Sequence, residues 1–185
     1  SDQLIRVKTD VLDLAIDPRG GDVVKLGLTQ YPLRQDRPDV PFPLFERDQQ
    51  RTYLAQSGLT GANGPDAAAG GRPLYASAKP VYELADGQEQ MVVDLTYAQD
   101  GISYIKRFTF HRGLKGDCTE KEKAQKKLEC INPDAYQVGV SYLIDNQSDK
   151  PWNASLFAQL KRDASVDLSS TTATGVSTYL GAAVW

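Results

Sequence analysis

"VLDLAIDPRGGDVVKLGLT" (residues 11–29) decides the fold class. Leu12, Leu14 and Ile16 alternate with Val11, Asp13 and Ala15; farther along, Val24, Leu26 and Leu28 share a face. A period of two belongs to a strand with one buried side, because successive side chains point to opposite faces. Between the two runs stands Pro18-Arg19-Gly20-Gly21, whose glycines take positive φ without a Cβ clash. The stretch predicts a β-hairpin.

The same pattern continues along the chain. "AQDG" (98–101) joins "VVDLTY" to "ISYIKRFTF" and has the composition of a tight hairpin turn. "YQVGVSYLID" (136–145) and "WNASLFAQLKRD" (152–163) flank "NQSDKP", another turn. Residues 31–43 carry four prolines and read as a surface connection, not as a central strand. Residues 58–73 are glycine-rich and read as a long loop or flap tip. Counting outward predicts ten or eleven strands, arranged as a sandwich of antiparallel sheets. The whole of 1–185 is expected to form one all-β domain.

Composition narrows the function. Hydrophobic residues make up 41% and charged residues 24%, as in soluble globular proteins. A net charge of −3 argues against nucleic-acid binding, which shows as a basic face. No apolar run approaches the ~20 residues of a membrane helix. The chain begins in strand-like sequence, as a mature form or an excised piece would. There is no GxGxxG, P-loop or GxSxG motif. Cys118, Cys130 and the single histidine, His111, would supply three zinc ligands only if the strand end folded back over the loop. No cofactor and no metal is expected, and His111 reads as a surface residue.

One segment breaks the strand pattern. "KGDCTEKEKAQKKLEC" (115–130) has helix-forming composition, near-balanced charge and both cysteines. It reads as a solvated insertion (114–134) in a hairpin, closed by a Cys118–Cys130 disulfide. Such a bond persists only in an oxidising compartment.

"IRVKTDVLDLAIDPRGGDVVKLGL" (5–28) resembles the opening of the periplasmic-domain family of YidC, the bacterial inner-membrane protein insertase. "AQSGLTGANGPD" (55–66) with "GRPLY" (71–75), "SLFAQLKR" (155–162) and "YLGAAVW" (179–185) resemble later family segments in the same order. The resemblance implies a galactose-mutarotase-like β-supersandwich, C-terminally incomplete in this chain, since the family domain continues past "GAA". It marks the cysteine loop as a lineage-specific insertion. It also implies a non-catalytic domain on the periplasmic side of the inner membrane, in a multi-pass protein. The implied partners are the Sec translocon with its periplasmic accessory subunits, and nascent inner-membrane proteins held by the membrane core. Tyr179 and Trp185, in "GVSTYLGAAVW" (175–185), are the candidate docking residues.

Two other readings compete. One is a carbohydrate-binding or mutarotase-like protein, whose chemistry needs a histidine paired with a carboxylate. The other is a periplasmic chaperone that adds an extended segment to an open sheet edge.

Overall fold

Alternating apolar residues and glycine turns produce eleven strands among the described residues, 3–125 and 128–165, of the computed structural model. The first seven are β1 (Ile5–Lys8), β2 (Leu12–Asp17), β3 (Asp22–Arg34), β4 (Arg37–Arg47), β5 (Thr52–Thr60), β6 (Ala76–Ser77) and β7 (Val81–Glu83). Then come β8 (Gln90–Gln99), β9 (Ile102–His111), a short helix α1 (Glu120–Ala124), β10 (Val138–Asn146) and β11 (Ser155–Arg162). They form a seven-stranded sheet, β11-β5-β4-β3-β2-β1-β7, and a four-stranded sheet, β10-β9-β8-β6. All pairings are antiparallel except β1 with β7.

The two sheets share one core. Ile5, Val7, Leu12, Leu14 and Ile16 of the larger sheet cluster with Val93, Leu95, Phe108 and Phe110 of the smaller. This is the all-β sandwich arrangement that the alternation predicts.

The 11–29 hairpin forms with one adjustment. Ala15 pairs with Lys25 but Ile16 pairs with Val23, so the ladder carries a bulge at Val24. A bulge inserts one extra residue and shifts the side-chain parity. Val23, not Val24, therefore joins the shared core, while Val24 is also buried. The β8–β9 turn is Asp100-Gly101, both at positive φ (53° and 77°), the two-residue geometry that suits hairpin twist.

The proline-rich segment is a correction. Residues 31–43 are not a loose connection: β3 runs to Arg34, β4 starts at Arg37, and the prolines lie within both strands. The physical reason is position. β2 pairs with β3 only as far as Leu28, and β5 pairs with β4 only at Glu46 and Arg47. Beyond those points β3 and β4 form a two-stranded ribbon whose register slips between Leu28 and Pro32 and again before Arg34. A proline that lacks an N–H breaks no essential ladder where one side of the strand is already open.

"NQSDKP" is also a different kind of connection. β10 and β11 flank it but lie in different sheets. The segment is a crossover, and Trp152 fastens it by donating from Nε1 to Tyr104 Oη (3.0 Å) and to the Asn63 carbonyl (3.2 Å).

The cysteine segment lies between β9 and β10. Thr119 and Glu122 form a reciprocal capping box that starts α1. None of the described helices is long and apolar enough to cross a membrane.

Candidate functional site

The strand β9 reads Tyr104, Lys106, Phe108, Phe110 on its inward face. Three of these are aromatic and the fourth is a lysine with no exposed surface. Its Nζ donates to the carbonyls of Gly20 (2.9 Å) and Ser57 (2.8 Å), both in the opposite sheet's half of the molecule. The Phe108 and Tyr142 rings lie 5.5 and 5.6 Å from Nζ, close enough for cation–π attraction. Burial dominates the ionisation and pushes the Lys106 pKa down to about 8.

The same two carbonyls are gripped from a second direction. Arg72, at the end of the glycine-rich loop, donates from Nη2 to Ser57 O (2.7 Å) and Gly20 O (3.2 Å). Its Nε reaches Asp66 (2.7 Å) and its Nη1 both oxygens of Asp22. Burial opposes the Arg72 charge, but the Asp66 and Asp22 carboxylates outweigh it and hold the pKa above the normal guanidinium value. Asp66 also accepts from Leu59 N, and Asp22 from Gln56 Nε2. The Phe157 ring completes the enclosure, 5.6 Å from Arg72 Cζ.

This cluster dictates the two glycines of the first turn. Gly20 and Gly21 have φ of 77° and 64°. A Cβ on Gly21 would sit 2.8 Å from Lys106 Cδ, and one on Gly20 would overlap the Arg72 guanidinium. The sequence signal was therefore stronger than a turn: those glycines make room for two cations. Burial likewise raises the Tyr142 pKa to about 12 and that of Tyr75 further. Lys106 donates to two carbonyls and has no exposed surface, so the cluster pins the two sheets to the glycine loop.

Two clefts flank the pin. One, about 450 Å³, lies between the glycine loop, the β8–β9 turn and the crossover, with Asn63, Asp100, Tyr104 and Lys150 in its wall. The other, about 380 Å³, opens between the sheets, lined by Val23, Ala55, Phe108, Val140 and Leu160. Next to it Leu156 and Leu160 are 66% and 63% exposed.

Where the expected residues fall is plain. His111 is half-buried at the far end of β9 from Tyr104, seven residues or about 23 Å along the strand. It cannot act in the first cleft. Among the described residues, the close-set group of three potential metal ligands is Cys118, Glu122 and Cys130, without His111. The Cys118 and Cys130 sulfurs are at disulfide distance, with Cα atoms 5.8 Å apart. Tyr179 and Trp185 lie outside the described residues. Sequence reading missed Lys106 and Arg72; the inward parity of Lys106 on β9 was the available signal.

The family model described as the YidC periplasmic domain matches residues 4–114 and 119–185, breaking at the start of the cysteine loop. The chain is 76% identical over all its residues to a membrane protein insertase YidC of Pseudomonas aeruginosa PAO1. It is 66% identical to the one of Ectopseudomonas mendocina and 60% to the one of Pseudomonas fluorescens Pf0-1. It spans about a third of the length of these relatives (32, 32 and 29%).

Proposed function

Because the chain belongs to the YidC periplasmic-domain family, we propose that it is the periplasmic part of an inner-membrane protein insertase and works by contact, without bond chemistry. In this reading it scaffolds the insertase on the periplasmic side and docks the Sec translocon's accessory subunits while the membrane core handles nascent inner-membrane proteins. The whole-chain similarity to proteins named membrane protein insertase carries the proposal. The geometry agrees with it: among the described residues, the buried Lys106–Asp22–Asp66 cluster is taken up by internal hydrogen bonds and ion pairs, and the histidine is remote from the cleft at the β8–β9 turn.

The test is crosslinking in the full-length insertase. Photo-reactive residues at Leu156 and Leu160 are expected to capture a Sec accessory subunit. Crosslinks confined to the insertase's own chain would remove this face as the docking surface. Tyr179→Ala and Trp185→Ala separate two roles. A docking role weakens crosslinking and leaves the melting temperature unchanged. A core role lowers the melting temperature by several degrees, as a loss of ~2 kcal/mol or more requires.

The same location calls for an oxidised loop. Protein recovered from the periplasm is expected to contain the Cys118–Cys130 bond, with a non-reduced mass lower by two hydrogens; two free thiols would refute it. Cys118→Ser with Cys130→Ser should leave both sheets intact and cost at most about 3 kcal/mol, the constraint that closing such a loop places on the unfolded chain. Circular dichroism and urea denaturation read both quantities.

A further inference from the structure

We propose that the cysteine loop, once its disulfide is opened, is a binding site for zinc, with Cys118 and Cys130 as thiolate ligands and Glu122 as the third. One ligand atom from each of the three residues lies within 4.8 Å of the others. Thiolate and carboxylate are both zinc ligands, and three protein ligands with a water in the fourth position make a complete tetrahedral set.

The neck of the loop is held by contacts other than the disulfide. At its neck Lys115 N donates to Cys130 O (2.9 Å) and Asn132 N to Gly113 O (2.8 Å). Leu114 bridges Ile131. Below them the Asp10 carboxylate accepts from Gly113 N (2.9 Å) and Leu114 N (2.8 Å), tying the neck to the β1–β2 turn. Cys130 itself is 1% exposed and is held at the base of the loop. Opening the disulfide leaves this neck and the position of Cys130 in place, with Cys118 three residues beyond the neck's Lys115. Glu122 is fixed as well, because its Oε2 accepts from Thr119 N (3.0 Å) and Thr119 Oγ1 (2.8 Å). A ligand set whose members are already positioned loses less freedom on binding.

A dithiol reductant breaks the S–S bond, supplies two electrons and two protons, and closes to its own disulfide. Two thiols result. Zn²⁺ then displaces both thiol protons to solvent and forms two Zn–S bonds. The sulfurs of the closed disulfide carry no charge, so the oxidised loop does not hold the metal. The site is thus switched by redox state.

The experiment titrates the chain with Zn²⁺ alone, after anaerobic reduction and removal of reductant, against a chromophoric chelator, with Co²⁺ as a spectroscopic reporter of thiolate ligation. The reduced chain is expected to bind one metal with release of two protons, and the oxidised chain none. Glu122→Gln keeps the helix cap, since glutamine serves equally in a capping box. It should weaken binding at least about tenfold. Cys118→Ser with Cys130→Ser should abolish binding while circular dichroism shows the sheets unchanged. Equal binding by the oxidised chain, no stoichiometric binding by the reduced chain, or undiminished affinity in Glu122→Gln would each overturn the proposal.

Discussion

Replacing Arg72 with alanine is expected to destabilise the protein by about 3–5 kcal/mol, the cost of breaking a buried ion pair from one side. The Asp66 and Asp22 side chains are 1% and 7% exposed, and both face the Arg72 guanidinium. Without it, two carboxylates remain in the interior, hydrogen-bonded by the neutral donors Leu59 N and Gln56 Nε2 and with Lys106 as the remaining cation of the cluster. For a chain of 185 residues that loss lowers the melting temperature by roughly 6–20 °C. The glycine-rich loop should loosen first, because Arg72 is its link to Asp22, Gly20 and Ser57. Hydrogen exchange of residues 58–73 reads that directly. Adding Asp22→Asn and Asp66→Asn to Arg72→Met removes the stranded charges and should recover a large part of the loss. A triple variant no more stable than Arg72→Ala would mean that the cluster contributes through shape and not charge.

The second large effect depends on pH. Lys106 has a pKa near 8 when folded, against 10.5 ordinarily. Below pH 8 both the folded and unfolded chains hold the proton, and the cost of burying the charge is fully present. Between pH 8 and 10.5 the folded chain has released the proton and the unfolded chain still binds it. Stability contributed by this group therefore rises with pH across that window. The gain is about 3 kcal/mol, from the separation of the two pKa values. Asp22 and Asp66 support the charged form from across the cluster, while Arg72 opposes it, and burial outweighs them all. The neutral amine retains two N–H groups, matching the two carbonyls it meets. Lys106→Met should be nearly neutral or stabilising at pH 7, because Gly20 O and Ser57 O keep their bonds from Arg72. Measured by urea denaturation, the difference between wild type and Lys106→Met should move toward wild type from pH 7.5 to 10.5. A difference that stays flat with pH would show that the folded and unfolded chains bind this proton equally, so that burial does not lower the Lys106 pKa.

These two residues also mark what local sequence can and cannot convey. The 11–29 hairpin, the Asp100-Gly101 turn and the short helix of the cysteine segment were legible, because alternation, turn chemistry and helix composition act over a few neighbouring residues. The family was legible too, from motifs in order along the chain. Tertiary context decided the rest. The prolines of 31–43 could lie in strands only because that ribbon leaves its sheet neighbours behind. "NQSDKP" crosses between sheets where a hairpin would have had the same composition. The parity of β9 pointed Lys106 inward, but its partners at Gly20 and Ser57 are 86 and 49 residues away. Arg72 finds Asp22 across 50 residues. Periodicity tells which face a side chain takes. It does not tell what lies across the core from that face, because this depends on which strands the sheets bring together and on two glycines without a Cβ.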